Sequence, residues 1–316
     1  MVIFVNPNVS VILPCYNGAH FLNTLISVLL NQSISPIEII VVDSESTDGT
    51  EEIARDLGCT VFSIPQSEFN HGGTRNFASL RAKGDILVFL TQDALPKNSL
   101  FLQHLLAPIC SSKSTASFAR QVPYPEASVG EKFARAFNYP PVSEIRTITS
   151  IQTMGLRAYF FSNVSSAIRK DVFMDVGMFA DDVIMNEDML MCAKLLNAGH
   201  SVAYAAEAEV FHSHDYSLLQ TFQRYFDIGV FFSRQFNIPD LATNERGATY
   251  TRELLAHMVI NGEMFAFFHA IGETCAKFGG FFLGKLEKFI PMVLKKHLSM
   301  HAGFWQSSTF QSKAKH

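Results

Sequence analysis

Features typical of secreted and membrane-spanning proteins are missing from this sequence. The chain of 316 residues contains five cysteines, which are scattered and form no Cys-x-x-Cys pair. Such spacing fits neither a disulfide framework nor a zinc site, and it favours a reducing compartment. No apolar run approaches the roughly 18 residues that a membrane-spanning helix needs, and the first residues lack the basic region of a signal peptide. We therefore expect a cytoplasmic protein.

An excess of positive charge is also missing from the chain as a whole. The 25 basic and 29 acidic residues give a formal net charge of −4. A nucleic-acid-binding protein needs a basic surface to displace counterions from phosphates, so this class of protein is excluded. Hydrophobic residues make up 48% of the chain, which is enough for a sizeable core and too many for global disorder.

Motifs of several common enzyme classes are absent as well. The first apolar run is not followed by GxGxxG, and the chain contains neither GxxxxGKS nor GxxxxGKT. Dinucleotide-binding and P-loop interpretations therefore lack support. The nucleophile motif GxSxG and the zinc motif HExxH are also missing, which removes two further classes of hydrolase.

Basic charge is concentrated in the C-terminal segment. From Lys277 onward the chain has seven lysines and one acid, Glu287. In a helical projection the apolar and the basic residues separate, with Phe282, Leu286, Phe289, Ile290 and Val293 on one side and Lys277, Lys285, Lys288 and Lys295 on the other. The favoured interpretation is helices that pack on their own domain and leave the lysines solvated. Peripheral contact with a membrane and a homodimer are the alternatives.

In the first half of the chain, apolar runs alternate with segments of helical spacing. Strands are predicted at 9–13, 37–42, 59–64 and 86–90, and helices at 19–31, 51–57 and 71–83. This alternation predicts a parallel sheet covered on both faces. The stretch 111–165 predicts long loops with one or two short helices. Ligands of such sheets bind beyond the carboxyl ends of the strands, so we expect the site near residues 14–16, 43–48, 69–75 and 91–94.

Polar side chains at these strand ends suit a phosphorylated substrate. Asp43 can bind a base or a ribose, although a turn acid that caps the next helix is an equally good interpretation. Gly72 and Gly73 allow close approach to the backbone before Arg75, whose guanidinium suits a phosphate. Asp93 follows the most apolar strand and offers the hard oxygen ligand that a metal bridging a diphosphate would need.

Two later segments carry a pair of acids and a pair of histidines. Glu187 and Asp188 stand at a predicted helix start, where capping accounts for one acid and a general base for the other. His212 and His214 follow an extended apolar run, so both imidazoles would face the same side. A buried histidine satisfied by its neighbours is the commoner fate of a lone His, and two at this spacing favour metal binding only modestly.

The order and spacing of these segments resemble family 2 glycosyltransferases of the GT-A fold. The resemblance covers about residues 9–215 and rests on Val9-Ser-Val-Ile-Leu-Pro-Cys-Tyr-Asn17, Ile39-Ile-Val-Val-Asp-Ser-Glu-Ser-Thr-Asp-Gly-Thr50, Thr74-Arg-Asn76 and Gly84-Asp85. A narrower likeness to the rhamnosyltransferase branch rests on Phe69-Asn-His-Gly-Gly-Thr-Arg-Asn76, Phe89-Leu-Thr-Gln-Asp-Ala94 and His212-Ser-His-Asp-Tyr-Ser217. The resemblance implies an α/β fold with a mostly parallel central sheet flanked by helices. Residues 1–217 would form the GT-A domain and 218–316 a helical C-terminal region, basic and amphipathic from about 277.

Carried over position by position, the resemblance implies a role for each candidate residue. The nucleotide-sugar donor would be bound by Pro14, Tyr16, Asp43, Arg75, Gln92 and Asp93. A divalent cation, Mg²⁺ or Mn²⁺, would be held by Asp93, His212 and His214. Asp188 would be the general base. The transferred sugar or the acceptor would lie near His71, Arg120, Gln121, Asn163 and Glu187.

The reaction implied by the resemblance is an inverting transfer of a single sugar. The donor would be dTDP-L-rhamnose, and the acceptor a cell-surface glycan or a lipid-linked glycan. A UDP- or GDP-sugar as donor, a sugar nucleotidyltransferase, and a non-catalytic protein that binds nucleotide sugars or glycans are the alternatives. Gln92 and Ala94 flank a single acid, Asp93, where the family usually has a second, and this departure bears on metal dependence.

Overall fold

The structure is a computed structural model, which describes residues 7–235 and 243–306. The chain divides into two compact units. The first contains residues up to 124 together with 139–181 and 187–213, and the second contains 125–138, 182–186 and the chain from 214 onward. All five cysteines lie in the described ranges, and each is a free thiol.

The first unit contains one mixed sheet, which has nine strands among the described residues. The strands are β1 Val9–Cys15, β2 Glu38–Asp43, β3 Thr60–Ser63, β4 Ile86–Leu90, β5 Leu95–Pro96, β6 Ala116–Val122, β7 Glu144–Arg146, β8 Ser165–Arg169 and β9 Val202–Phe211. Their order across the sheet is β3-β2-β1-β4-β8-β6-β9-β5, and β7 pairs with the first three residues of β9.

The direction of one strand decides which chain segments meet at the edge of the sheet. β3, β2, β1 and β4 are mutually parallel, as are β6 and β9. β8 lies between β4 and β6 and is antiparallel to both. The residues that precede β8 therefore lie at the same edge as the carboxyl ends of β4 and β6.

Helices flank the sheet and form nearly all of the second unit. The α-helices are α1 Ala19–Leu30, α2 Thr50–Asp56, α3 His71–Arg81, α4 Phe101–Cys110, α5 Val129–Asn138, α6 Ser150–Met154, α7 Lys170–Asp175, α8 Glu187–Asn197, α9 Leu218–Arg234, α10 Thr243–Ile260, α11 Met264–Lys285 and α12 Met292–Leu298. None of the helices in the described ranges combines the length and the apolar character needed to cross a membrane. The predicted α/β architecture with a helical C-terminal region is confirmed.

The core of the first unit explains why the early strands were readable from the sequence. Every residue of β4 is fully buried, and β1 is buried at six of its seven positions. Strands covered by helices on both faces need apolar side chains at successive positions, and this produces the continuous runs seen in the sequence. α1 and α4 supply much of the opposing apolar surface through Leu22, Leu25, Leu102 and Leu105.

The stretch 111–165 differs from its prediction as loops. It contains the interior strand β6 and the short strand β7, in addition to the short helices α5 and α6. β6 has the sequence Ala-Ser-Phe-Ala-Arg-Gln-Val, in which Ser117 and Gln121 are polar yet buried. Buried polar residues interrupt the apolar run on which the strand prediction depends.

Helices α9 and α11 of the second unit approach each other through glycines. A Cβ built on Gly280 would lie 2.3 Å from the carbonyl oxygen of Phe222, and one on Gly284 would lie 2.1 Å from that of Phe226. Gly229 on α9 is equally close to α11, because its Cβ would lie 2.2 Å from the oxygen of Phe281. Backbone packed against backbone leaves no room for any side chain at these three positions.

The lysines of the C-terminal segment differ from the expectation that they are solvated together. Lys295 is buried and paired with the carboxylate of Glu287, which also pairs with Arg234 at 2.8 Å. Lys277 pairs with Glu273 at 3.4 Å, one turn earlier in α11. Lys285 and Lys288 are exposed. Local acids therefore draw two of the four lysines inward, which a helical projection of this segment alone does not reveal.

The glycine contacts give a stability prediction. Gly280→Ala should lower the free energy of unfolding by about 1–3 kcal/mol, because the methyl group forces two backbones apart. Gly279→Ala is the matched control, since its Cβ would meet only the ring of Phe222 at 3.7 Å. Alanine is the better helix former, so the control should be neutral or stabilising by up to about 1 kcal/mol. Scanning calorimetry measures both, and equal effects would contradict the close α9–α11 packing.

Candidate active site

The carboxyl ends of β1, β2 and β4 bring three candidate segments to one edge of the sheet. Cys15 at the end of β1 pairs in register with Asp43 at the end of β2, and β4 runs parallel beside β1. Pro14 is the penultimate residue of β1, and Tyr16 directly follows the strand. Thr91, Gln92 and Asp93 follow β4. The strand ends therefore gather the segments that the sequence analysis expected near one another.

Gln92 fastens the segment after β4 to the segment after β1. Its Oε1 accepts a hydrogen bond from the Tyr16 backbone N–H at 2.9 Å, and its Nε2 donates to the Tyr16 carbonyl at 3.0 Å. A Cβ at Gly18 would lie 2.5 Å from Gln92 Oε1, so a side chain there would displace this amide. The amide thus fixes the backbone that carries Tyr16, whose ring is exposed.

Asp43 is a buried carboxylate with an unsatisfied oxygen. Its Oδ2 accepts a hydrogen bond from the Ser46 N–H at 3.0 Å. Its Oδ1 is buried and has no hydrogen-bond partner among the described residues. An unsatisfied buried acceptor costs about 1–3 kcal/mol of folding stability. Such a group is expected to be paired when a ligand with an N–H or O–H donor is present.

Arg75, in the second turn of α3, also has a buried polar atom without a hydrogen-bond partner among the described residues. The helix begins with Asn70, whose Oδ1 accepts from the Gly73 N–H at 2.8 Å, and Gly72 is required because its Cβ would lie 2.0 Å from the carbonyl oxygen of Ala180. Arg75 Nη1 donates to the carbonyl of His71 at 2.8 Å and to Glu187 Oε1 at 3.3 Å. Its Nε is buried and has no partner among the described residues.

Two adjacent acids open α8 and share a single asparagine. Asn163 donates from Nδ2 to Glu187 Oε1 and from its backbone N–H to Asp188 Oδ2, each at 3.1 Å. Asp188 Oδ1 also accepts from the Met189 N–H at 2.8 Å. Burial, and then the neighbouring charge of Glu187, raise the pKa of Asp188 to about 7, against the opposing effects of the hydrogen bonds and of Arg75. A carboxylate with this pKa can accept a proton near neutral pH.

Asp93 and His212 form the candidate metal pair of the first unit. His212 Nε2 lies 3.6 Å from Asp93 Oδ2. On the other side of the ring, Nδ1 lies 2.9 Å from Gln121 Oε1, while Gln121 Nε2 donates to Ser162 Oγ at 2.9 Å. In the tautomer that donates from Nδ1 to Gln121 Oε1, the lone pair of Nε2 faces Asp93.

These residues fit a divalent cation on three counts. A carboxylate and a neutral imidazole are ligands that Mn²⁺ accepts, and the carboxylate also suits Mg²⁺. The gap of 3.6 Å between Nε2 and Oδ2 accommodates an ion bound by both. The Nδ1–Gln121 hydrogen bond is the outer contact that orients metal-binding histidines. His214 begins the last segment of the second unit, and its N–H donates to Glu131 Oε1 of the same unit at 3.3 Å.

The remaining predicted residues have other partners. Arg120 donates to the Tyr139 carbonyl at 3.1 Å and pairs with Glu209 at 2.9 Å, and Glu209 also pairs with Lys97 at 2.7 Å. The ring of His71 contacts that of Phe69 edge-on, with centroids 5.1 Å apart. Sequence reasoning did not anticipate that Ser162 holds Gln121, because no pattern links a loop serine to a strand 41 residues away.

Comparison with known proteins agrees with this architecture. The model of the family Glycosyl transferase family 2 matches residues 10–177. O-antigen chain rhamnosyltransferase RfbN of Salmonella typhimurium is 34% identical over 96% of this chain and 98% of its own length. O-antigen chain rhamnosyltransferase WbaN of Salmonella anatum is 35% identical over 97% of this chain and 98% of its own.

Solved structures show the fold. Mannosyltransferase PcManGT from Pyrobaculum calidifontis, in complex with GDP-Man and Mn²⁺, has a TM-score of 0.58 and 16% identity over 90% of this chain and 87% of that one. TarS 1-349 of S. aureus, in complex with UDP-GlcNAc, has a TM-score of 0.54 and 18% identity over 98% and 92% of the two chains. The expected GT-A fold is confirmed. With the family model matching more than half of its length, the chain belongs to glycosyl transferase family 2 and is a glycosyltransferase.

Proposed function

We propose that this enzyme is an inverting, metal-assisted glycosyltransferase that transfers one L-rhamnose from dTDP-L-rhamnose to a cell-surface or lipid-linked glycan. The observation that carries the proposal is a continuous set of contacts from His212 through Gln121 and Ser162 to Asn163 and Asp188. It ties a metal-binding histidine to a carboxylate of raised pKa, the two groups that activate the leaving and the attacking oxygen. The five free cysteines support a cytoplasmic location.

Two unsatisfied groups support the assignment of the nucleotide pocket. Asp43 Oδ1 is an acceptor for the N–H of a pyrimidine base, and Arg75 Nε is a donor for a phosphate oxygen. Pro14 and Tyr16 would line the base, and Gln92 would act by holding Tyr16 in place. A bound nucleotide would thus satisfy both buried groups at once.

The reaction follows from what each side chain can do. Asp188, ionised, accepts the proton of the acceptor hydroxyl while that oxygen attacks the anomeric carbon. A single displacement from the opposite face inverts the anomeric configuration. Asp93 and His212 would hold Mg²⁺ or Mn²⁺, which supplies positive charge for the departing nucleoside diphosphate. His214 lies two residues beyond His212, a span of at most about 7 Å, and is the proposed third ligand.

Roles near the sugar and the acceptor are proposed for a second group of residues. Asn163 and Glu187 would position Asp188 and Arg75, to which they are hydrogen-bonded. Gln121 would act by orienting His212. His71 and Arg120 would contact the sugar or the acceptor after their present partners rearrange.

A panel of nucleotide sugars tests the donor. Calorimetry with dTDP-rhamnose, UDP-sugars and GDP-sugars, in Mg²⁺, in Mn²⁺ and in EDTA, should show metal-dependent preference for dTDP-rhamnose. The identities of the two Salmonella relatives favour this result. Preference for a UDP- or GDP-sugar would keep the fold and the mechanism and overturn the donor. Absence of binding to every sugar nucleotide would favour a non-catalytic glycan-binding protein.

Replacement of the base separates binding from chemistry. Asp188→Asn should leave donor affinity nearly unchanged and lower turnover by at least about 10². In the unaltered enzyme turnover should fall as pH drops below about 7, where Asp188 takes up its proton. Normal turnover in the variant would remove Asp188 from this role.

The raised pKa of Asp188 also predicts how the stability difference between Asp188→Asn and the wild-type protein changes with pH. The native state holds the Asp188 proton more tightly than the unfolded chain, so the contribution of Asp188 to stability decreases as pH rises from about 4 through 7. Asp188→Asn should therefore be the more stable protein at pH 8, with an advantage that shrinks toward pH 4. Thermal unfolding at both pH values measures this difference, and an advantage independent of pH would contradict the cause given for the pKa shift.

Metal binding can be tested apart from turnover. Gln121→Met keeps the side-chain volume and removes the acceptor from His212 Nδ1, and it should weaken Mn²⁺ binding by about 10–100-fold. Asp93→Asn should weaken it at least as much. Gln66→Met, at an exposed position, is the matched control. Electron paramagnetic resonance of free Mn²⁺ measures the affinity, and unchanged affinity in both site variants would mean that the metal is held elsewhere.

A further inference from the structure

Helix α11 of the second unit has an inner face of small residues and an outer face of large apolar ones. Ala270, Gly280 and Gly284 are buried, and the two glycines contact α9 directly. The outward positions are spaced at alternating intervals of four and three residues, and we call them the outer stripe: Met264, Phe268, Ile271, Cys275, Phe278 and Phe282. All six are exposed.

Exposure of the outer stripe is large for aromatic side chains. Phe278 is 74% exposed, Phe268 66% and Phe282 59%. From position 264 to position 282 the stripe is about 27 Å long at 1.5 Å per residue. The solvent face of a helix in a globular protein is normally polar, so a charge-free apolar stripe of this length indicates an interaction surface.

Apolar exposure continues beyond the end of the helix. Phe289, Val293 and Leu294 are more than half exposed in the segment that follows α11. A second helix packs against a narrow apolar seam. The exposed apolar residues extend over α11 and the segment after it. A surface of this extent fits a lipid layer better than the narrow contact that one partner helix would make.

The charges at the C-terminal end of this surface are mostly basic, whereas the exposed Glu263 precedes Met264 at its other end. Between residues 274 and 306 the sequence contains five lysines, no arginine and a single acid, Glu287. Glu287 is buried and already paired with Lys295 and Arg234. Lys285 and Lys288 are exposed at the end of the stripe. The Nζ of Lys288 lies 5.1 Å from the centre of the Phe289 ring, so this charge and an exposed aromatic side chain lie side by side at the surface.

We propose that this face binds the surface of an anionic lipid bilayer. α11 would lie in the plane of the interface, with its phenylalanines at the boundary of the acyl chains and Lys285 and Lys288 at the lipid phosphates. Lipid phosphates would offer Lys285 and Lys288 complementary charge along the whole interface, whereas a second copy of the chain would offer them few acids on the same surface. The inference rests on residues of the second unit alone and holds whatever the donor sugar is.

Flotation of the full-length protein with vesicles tests the proposal. Vesicles of phosphatidylcholine with about 30% phosphatidylglycerol should bind the protein, pure phosphatidylcholine should bind it weakly, and salt should reduce the difference. Phe278→Gln with Phe282→Gln should weaken binding to the mixed vesicles by at least about tenfold. Lys285→Glu with Lys288→Glu should remove the preference for the anionic lipid, by about fivefold for each lysine lost.

A matched control separates this surface from general hydrophobicity. Leu80 and Val142 in the first unit are 58% and 68% exposed. Leu80→Gln with Val142→Gln should leave vesicle binding unchanged, and an equal loss in this variant would overturn the proposal. Failure of the unaltered protein to bind anionic vesicles would also overturn it.

Sedimentation velocity and donor calorimetry on the same variants keep the outcomes distinct. A wild-type dimer that dissociates in the phenylalanine variant, with no vesicle binding, would assign the face to self-association and overturn the membrane proposal. Unchanged donor binding in that variant is expected. If vesicle binding fails while donor binding persists, only the membrane inference is lost. If donor binding alone fails, only the proposed function is lost.

Discussion

The position of the segment before β8 is the constraint on which the rest of the candidate site depends. β8 runs antiparallel between β4 and β6, so Ser165 at its start pairs with Leu90 at the end of β4. The Thr91 N–H donates to the carbonyl of Val164 at 3.2 Å, which fixes the two segments together. From this place Ser162 reaches Gln121 and Asn163 reaches both acids of α8. A parallel strand here would carry its preceding residues to the opposite edge, away from Asp93.

This arrangement gives the adjacent carboxyl groups of Glu187 and Asp188 different hydrogen-bond partners. Glu187 receives Arg75 and the amide of Asn163, so its charge is compensated inside the protein. Among the described residues, the hydrogen bonds that Asp188 accepts come from the backbone N–H groups of Asn163 and Met189, and it also lies next to the charge of Glu187. Desolvation therefore exceeds the compensation, and the pKa of Asp188 rises toward neutrality. Burial therefore has the largest effect on Asp188, and Arg75 offsets only part of it.

The sequence predicted those strands in which apolar residues follow one another without interruption. β1, β2 and β4 are buried on both faces, and their apolar runs predicted them, together with the helices between them. β6 and β8 contain Ser117, Gln121, Ser165 and Ser166, all buried, so they lack that signal although both are interior strands. The residues that the resemblance singled out are placed by the structure at strand ends and helix starts. Their couplings, such as Gln121 with His212, join positions 91 residues apart and have no local signature.

The second unit shows why amphipathic spacing alone does not say what an apolar face contacts. A helix with apolar residues on one side is normally taken to turn that side to the core. In α11 the core side is instead made of glycine and alanine, since the backbones of α9 and α11 approach too closely for larger residues. Of the phenylalanines of α11, Phe267 packs in the cluster of Leu254, Met258 and Ala270, whereas Phe268, Phe278 and Phe282 are exposed. The close contact with α9 therefore does not use the exposed phenylalanines of α11. Because the glycines already satisfy the packing of the unit itself, the outer stripe contributes little to folding, and an interaction with another surface is the role left for it.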